Sequence, residues 1–138
     1  TVVASGHTAD DLDRQIYEAN AFINEGIDSV FVTESQINCL NLWSYGKPSI
    51  ALLGTGGYHQ YSILKKSGIR HYILGLDPDK PGRRGIKRFI ENAKLDVLID
   101  VVDLPDGKDI NDLTREEFEN CPIITAQEWL QKYGKNLD

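Results

Sequence analysis

The 138-residue chain contains no methionine, only two cysteines and three histidines, and no long apolar run. No stretch approaches the roughly 18 apolar residues that a membrane span needs, and the N-terminus lacks the basic start and apolar stretch of a signal peptide. Cys39 and Cys121 stand apart, without the CxxC spacing of a metal or redox site, which indicates reduced, buried thiols in a cytoplasmic protein. The missing methionine favours a piece of a larger protein, although removal of the initiator also explains it.

The sequence also lacks several enzyme motifs. It has no GxSxG, no Walker lysine loop and no GxGxxG, and its histidines have no metal-ligand spacing. The formal net charge of -6 argues against a protein that coats nucleic acid in general. Local charge differs, because residues 80–94 hold six lysines and arginines against a single glutamate.

Short apolar runs alternate with helical patterns along the chain. Strands are predicted at residues 29–32, 48–54, 70–76 and 96–104. Helices are predicted at residues 9–24, 34–46, 56–68, 81–93 and 126–134. This alternation predicts an α/β fold in which a parallel four-stranded sheet has helices on both faces.

Two of these helices have a clear apolar face. The helix at 34–46 places Ile37, Leu40 and Trp43 or Ser44 on one side. The helix at 81–93 should turn its apolar side inward, a side made of Ile86, Phe89, Ile90 and Ala93.

Acidic residues follow the ends of three predicted strands. They are Glu34 after the first strand, Asp77 and Asp79 after the third, and Asp103, Asp106 and Asp109 after the fourth. Because the carboxyl ends of parallel strands meet at one edge of a sheet, we expect these acids to gather there. Gathered carboxylates repel one another unless a cation neutralises them. All-oxygen ligands suit Mg²⁺ or Mn²⁺, so the pattern predicts a hard-cation site.

Glycines and basic residues flank the acids. The candidates for binding phosphate are Gly54, Thr55, Gly56, Lys80, Arg83, Arg84, Lys87 and Lys108. Exposed glycine amides can approach a phosphate, and arginines can grip its oxygens in pairs. A cation beside such groups is suited to a phosphodiester or a triphosphate.

Each feature also has a plain structural interpretation. Asp79 could cap a helix with Pro81 in its first turn, and Glu34 could be a charge favoured at a helix N-terminus. The glycines could form an ordinary turn, and the basic segment could be a solvated helix face. The joint occurrence of all four at one sheet edge favours the cation site.

In this order the elements resemble the Toprim domain, which bacterial-type DNA primases share with type IA and type II topoisomerases and with small nucleases. The resemblance is carried by "VFVTESQIN", "ALLGTGG" and "LGLDPDKPGRRG". The primase branch fits best, because "LPDGKDINDL" resembles its closing motif and residues 14–26 resemble the helix before its glutamate strand. A topoisomerase is less suited, since its nucleophilic tyrosine lies in another domain.

The resemblance implies one Toprim-like, Rossmann-like domain over residues 1–138 within a larger primase. Its core would span 27–113, with a helical lead-in at 1–26 and a helical extension at 114–138. The implied activity is that of a DNA-directed RNA polymerase that makes short primers by Mg²⁺-dependent nucleotidyl transfer. The implied partners are a single-stranded DNA template, nucleoside triphosphates, the RNA primer and, through regions outside this chain, a replicative helicase.

The resemblance also implies roles for the acids. Asp77 and Asp79 would hold Mg²⁺ or Mn²⁺ on the phosphates of the incoming nucleotide. Glu34 would hold, or lie beside, the metal that activates the attacking 3′-hydroxyl, or would exchange a proton with that hydroxyl. Asp109 would be a secondary ligand.

The chain departs from the family pattern at four positions. Ser35 stands where the family has glycine, and Pro81 where it has alanine. Asn38 and Asn111 each replace an aspartate, and the loss of these charges would weaken or rearrange metal binding. Two alternatives stay open: a Toprim-type nuclease, in which the same metals activate water, and a non-catalytic module that binds nucleic acid.

Overall fold

The computed structural model describes residues 2–4, 28–52, 64, 68–93, 97–135 and 137. Its strands are Val2–Ala4 (β1), Ser29–Thr33 (β2), Ser49–Leu52 (β3), His71–Leu74 (β4), Leu98–Val102 (β5) and Ile123–Thr125 (β6). Its helices are Gln36–Ser44 (α1), Lys80–Asn92 (α2), Arg115–Glu119 (α3) and Ala126–Tyr133 (α4), and a 3₁₀ turn covers Ile110–Asp112.

The strands form one sheet in the order β1-β3-β2-β4-β5-β6. All neighbouring pairs are parallel except β5 and β6, which are antiparallel. The four predicted strands are β2 to β5 at the centre of this sheet, so the α/β prediction is confirmed. The two edge strands were not predicted, because each has only three residues and shows no readable periodicity.

Alternate residues of the central strands face opposite sides of the sheet. On one side, Val32 packs in a cluster with Phe89 of α2 and Trp129 of α4. On the other side, Phe31 meets Phe118 of α3 with ring centroids 5.8 Å apart. Helices therefore cover both faces, as the sequence predicted.

Helix α2 begins at Lys80, one residue before its predicted start, and its cap is the one that the sequence offers. Asp79 is the N-cap and its Oδ1 accepts the Gly82 N–H at 2.7 Å. Pro81 lies in the first turn, where its missing N–H costs nothing. The predicted inward residues Ile86, Phe89, Ile90 and Ala93 are all buried.

Helix α1 exposes two residues of its predicted apolar face, whereas Trp43 of that face packs against the core. Ile37 and Leu40 are 62% and 53% exposed. The buried residues of this helix are Asn38, Cys39 and Leu42. The buried polar side chains have partners in the fold: Cys39 Sγ, for example, lies 3.2 Å from Ser49 Oγ on β3.

Both cysteines are unbridged. Cys39 is buried as predicted, whereas Cys121 is partly exposed and its predicted burial is wrong. Among the described residues, no helix has the length and apolar character needed to cross a membrane. The predicted helix at 9–24, most of that at 56–68 and the glycine turn lie outside the described residues.

Candidate metal and phosphate site

Glu34 and Asp77 meet at the carboxyl edge of the sheet. Glu34 directly follows β2, and its Oε1 accepts the backbone N–H of Asp77 at 3.3 Å across 43 residues of sequence. Gly82 in α2 allows this approach. A Cβ there would lie 2.0 Å from the Asp77 carbonyl oxygen and 2.8 Å from Glu34 Oε1. Glycine is therefore the residue that lets the helix start pack onto both acids.

The Asp77 carboxylate is poorly satisfied. Its Oδ1 is buried, and within the described part of the chain it has no hydrogen-bond partner. Burial raises the pKa of Asp77, and the charges of Asp109, Asp79 and Asp112 raise it further. A buried oxygen without a partner is costly. A bound cation would remove that cost.

Glu34 is perturbed in the same direction. Burial, followed by the charge of Asp77, raises the pKa of Glu34 to about 7, and the charge of Asp79 adds a smaller increase. The hydrogen bond from the Asp77 N–H acts the other way. A carboxyl group with a pKa near neutrality can exchange a proton with a reacting group or serve as a cation ligand.

The 3₁₀ turn brings a third acidic segment to this edge. Asp109 Oδ1 accepts the Asp112 N–H and Asp112 Oδ2 accepts the Asp109 N–H, each at 3.0 Å. Between them Ile110 is fully buried, and its Cδ1 lies 3.0 Å from where a Cβ on Gly75 would stand, just past β4. The turn is thus seated against the strand that leads to Asp77.

Asp112 is an acid that the sequence analysis missed. The pattern that could have indicated it is the D-x-x-D spacing from Asp109, which is typical of a reciprocal cap at a helix start. Asp79 has two roles. It caps α2, as the structural interpretation proposed, and its charge raises the pKa values of Glu34 and Asp77.

In the ranges that the structure describes, no three histidine, cysteine, aspartate or glutamate side chains stand close enough to hold one ion together. The donor set nevertheless suits Mg²⁺, which keeps several waters and usually takes one or two carboxylates together with substrate phosphates. Asp77 with its unpartnered oxygen, and Glu34 beside it, fit such a site.

The structure does not bring Asp103 into the acidic group. Its carboxylate accepts hydrogen bonds from Lys132 and Tyr133 of α4, each at 2.5 Å. Burial acts to raise the pKa of Asp103, but these two bonds outweigh it, and the pKa is lowered. Asp103 therefore anchors α4 to the end of β5.

Arg83 and Arg84, which are candidate phosphate ligands, contact other parts of the chain. Arg83 donates to Asp106 Oδ1 at 2.7 Å, and its guanidinium lies 4.4 Å from the centroid of the Tyr133 ring. Arg84 Nε donates to the Leu137 carbonyl at 2.8 Å. The sequence analysis missed Tyr133 because it belongs to the last helix, 50 residues after Arg83 in sequence.

The remaining candidates lie along α2 and in the loop after β5. Lys80 is exposed on the first turn of α2. Lys87 lines a hollow of about 310 Å³ with Arg84 and Arg88. Lys108 lines another of about 560 Å³ between the loop after β5 and helices α3 and α4. Gly54, Thr55 and Gly56 lie outside the described residues.

A family model described as Toprim-like matches residues 31–114. Among curated proteins, the chain is similar to DNA primase DnaG of Desulfurococcus amylolyticus, with 26% identity over 94 residues. That match covers 68% of this chain and 22% of the primase. The chain therefore spans about a fifth of this relative's length.

Solved primase structures share the fold. The zinc-binding and RNA polymerase domains of the Aquifex aeolicus primase align with a TM-score of 0.61 and 25% identity, over 84% of this chain and 32% of that one. A DnaG catalytic core aligns with a TM-score of 0.63 and 23% identity, over 84% and 40%, and at that identity it bears on the fold alone. Because the family match spans more than half of the sequence, the chain belongs to the Toprim-like family, as its motifs predicted.

Proposed function

We propose that the chain is the metal-binding catalytic domain of a DNA primase, which synthesises short RNA primers by Mg²⁺-dependent nucleotidyl transfer. The observation that carries the proposal is the contact of Glu34 with Asp77, whose buried Oδ1 has no partner among the described residues. The similarity of the chain to primases favours a primase over another kind of Toprim-like protein. The chain covers only part of those relatives, so the activity is proposed for the whole protein.

Asp77, with Glu34 beside it, would hold Mg²⁺ or Mn²⁺. Asp79 and Asp109 would act through bound waters or on a second ion, because no three of the described acids stand close enough to hold one ion together. When bound, the cation supplies positive charge to the phosphates of the incoming nucleotide. Glu34 accepts the proton of the primer 3′-hydroxyl as that oxygen forms its bond to the α-phosphorus. The bond to pyrophosphate breaks in the same displacement. Burial and the charge of Asp77 raise the pKa of Glu34 in the metal-free chain. A cation bound nearby would lower it again, so that Glu34 would be ionised and able to accept this proton at neutral pH.

The basic residues would bind the phosphates of the nucleoside triphosphate, the single-stranded DNA template and the RNA primer. Lys80 is exposed beside Asp79, and Lys87 and Lys108 line the two hollows. Arg83 can change partner, because the side chain of Asp106 is 87% exposed and such ion pairs contribute little. Gly54, Thr55 and Gly56 would add backbone amides, and a replicative helicase would bind through regions outside this chain.

The test is primer synthesis by the full-length protein carrying Glu34→Gln or Asp77→Asn, with Glu116→Gln on the exposed surface of α3 as the matched control. We expect each site variant to lose at least about 100-fold in rate, in line with the loss of a group acting in the transition state. The control should retain full activity. Undiminished synthesis by both site variants would remove the proposal.

A second candidate is a non-catalytic module that binds nucleic acid. It is favoured by Asn38 and Asn111, which carry amides where the family has acids. Retained DNA binding without Mn²⁺ binding at millimolar concentration would select it. Metal-dependent cutting of DNA or RNA by the chain would instead select a Toprim-type nuclease.

A further inference from the structure

Amide contacts join α1 to the acidic 3₁₀ turn. Asn38 Oδ1 accepts the backbone N–H of Asn111 at 3.1 Å. Asn41, one helical turn further along, donates from Nδ2 to Asn111 Oδ1 at 2.6 Å. Asn111 is therefore held both by its backbone and by its side chain, across about 70 residues of sequence.

The helix that makes these contacts starts directly after Glu34. Ser35 caps it, and its hydroxyl accepts the Asn38 N–H at 3.1 Å. Asn38 is only 2% exposed, so the acceptor of this bond is largely removed from water. One short helix thus links Glu34 to Asn111, which directly precedes Asp112 in the acidic turn.

Apolar contacts seat the turn in the fold. Ile110 is fully buried, and Leu113, which ends the turn, is buried in the same cluster. The two bonds to Asn111 add attachments at a residue between these anchors, and hydrogen bonds are directional where apolar contacts are not. They are therefore suited to fix how the turn is oriented as well as how deeply it is seated.

We propose that Asn38 and Asn41 form an amide clamp on Asn111 that positions the Asp109 and Asp112 carboxylates beside Asp77. The consequence for cation binding rests on the proposed function. Neither Asn38 nor Asn41 touches the reacting groups, so both are positioning residues. Neutral amides make the clamp without adding charge to an edge already crowded with carboxylates.

The clamp is tested by amide hydrogen exchange at Asn111 and by calorimetric Mn²⁺ titration, both on the same chain. Asn38→Leu removes the acceptor of the Asn111 N–H, and Asn38→Asp restores an acceptor oxygen. Asn41→Ala removes the second bond at a partly exposed site and keeps the test decisive if Asn38→Leu fails to fold. Leu40→Ala, exposed on the same helix, is the matched control.

We expect Asn38→Leu to speed exchange at Asn111 at least about 10-fold and to weaken Mn²⁺ binding about 10-fold, as loss of a ligand-orienting partner typically does. Asn41→Ala should act in the same direction with a smaller effect, and Asn38→Asp should recover slow exchange. Unchanged exchange at Asn111 in both variants overturns the clamp. Faster exchange with unchanged Mn²⁺ affinity overturns its positioning role. A wild-type chain that binds no Mn²⁺ overturns the proposed function, and the exchange data alone then decide on the clamp.

Discussion

Replacing Glu34 with glutamine should stabilise the metal-free chain at pH 8 and leave its stability nearly unchanged at pH 5. Glutamine keeps an oxygen that can accept the Asp77 N–H, so the substitution removes the charge but not the bond. Burial first, then the charges of Asp77 and Asp79, raise the pKa of Glu34 from 4.5 to about 7.

The size and the sign follow from that change. Each tenfold change in proton affinity corresponds to about 1.4 kcal/mol, so the full change is about 3 kcal/mol. Glu34 is only half-buried, and solvent screening reduces the expected gain to about 1–2 kcal/mol. The folded chain binds this proton more tightly than the unfolded chain does. The contribution of protonated Glu34 to the free energy of unfolding is therefore fully present below about pH 4.5, and it is lost as the pH rises through about 7.

The assay is urea unfolding in EDTA at pH 5 and pH 8, with Glu116→Gln as the control. The wild-type free energy of unfolding should fall between these pH values by about 1–2 kcal/mol more than that of Glu34→Gln. Added Mn²⁺ should stabilise the wild-type chain at pH 8 and not the variant. A variant that is equally or less stable than the wild type at pH 8 would refute the electrostatic reasoning.

Three further substitutions test the surroundings of the site. Gly82→Ala should lower the free energy of unfolding by about 2–3 kcal/mol and abolish Mn²⁺ binding, because its Cβ would lie 2.0 Å from the Asp77 carbonyl oxygen. A variant as stable in urea as the wild type would contradict the close packing. Asp79→Ala should lower the free energy of unfolding by about 1 kcal/mol through loss of the helix cap, whereas Asp79→Asn should keep the cap and weaken only Mn²⁺ affinity. Equal losses of stability in the two variants would argue against the capping role. Tyr133→Phe should cost about 1 kcal/mol in thermal unfolding, because Asp103 loses one donor; an unchanged midpoint would mean that the bond contributes nothing.

The centre of the fold could be predicted from the sequence because buried parallel strands are continuous apolar runs. The meeting of Glu34 with Asp77 followed from topology alone, since the carboxyl ends of β2 and β4 must lie at one edge. The inward face of α2 followed from its helical spacing, with Phe89 fully buried as expected.

What escaped prediction depends on contacts between residues far apart in sequence. The orientation of α1 is fixed partly by Asn38, whose partner is 73 residues away. The apolar periodicity of α1 therefore placed Ile37 and Leu40, though not Trp43, on the wrong face. Asp103 was grouped with the site acids because nothing local indicates that α4 would bind it. The contacts of Arg83 with Asp106 and Tyr133 could not be predicted for the same reason.

The central claim is that Glu34 and Asp77 share a hard cation, and the most direct measurement is anomalous diffraction from crystals soaked in millimolar Mn²⁺. We predict a Mn²⁺ peak within about 2.3 Å of Asp77 Oδ1, with Glu34 as a ligand directly or through a bound water. Crystals of Asp77→Asn should lose that peak. Ordered Mn²⁺ elsewhere on the molecule, with no anomalous density at this edge of the sheet, would contradict the account.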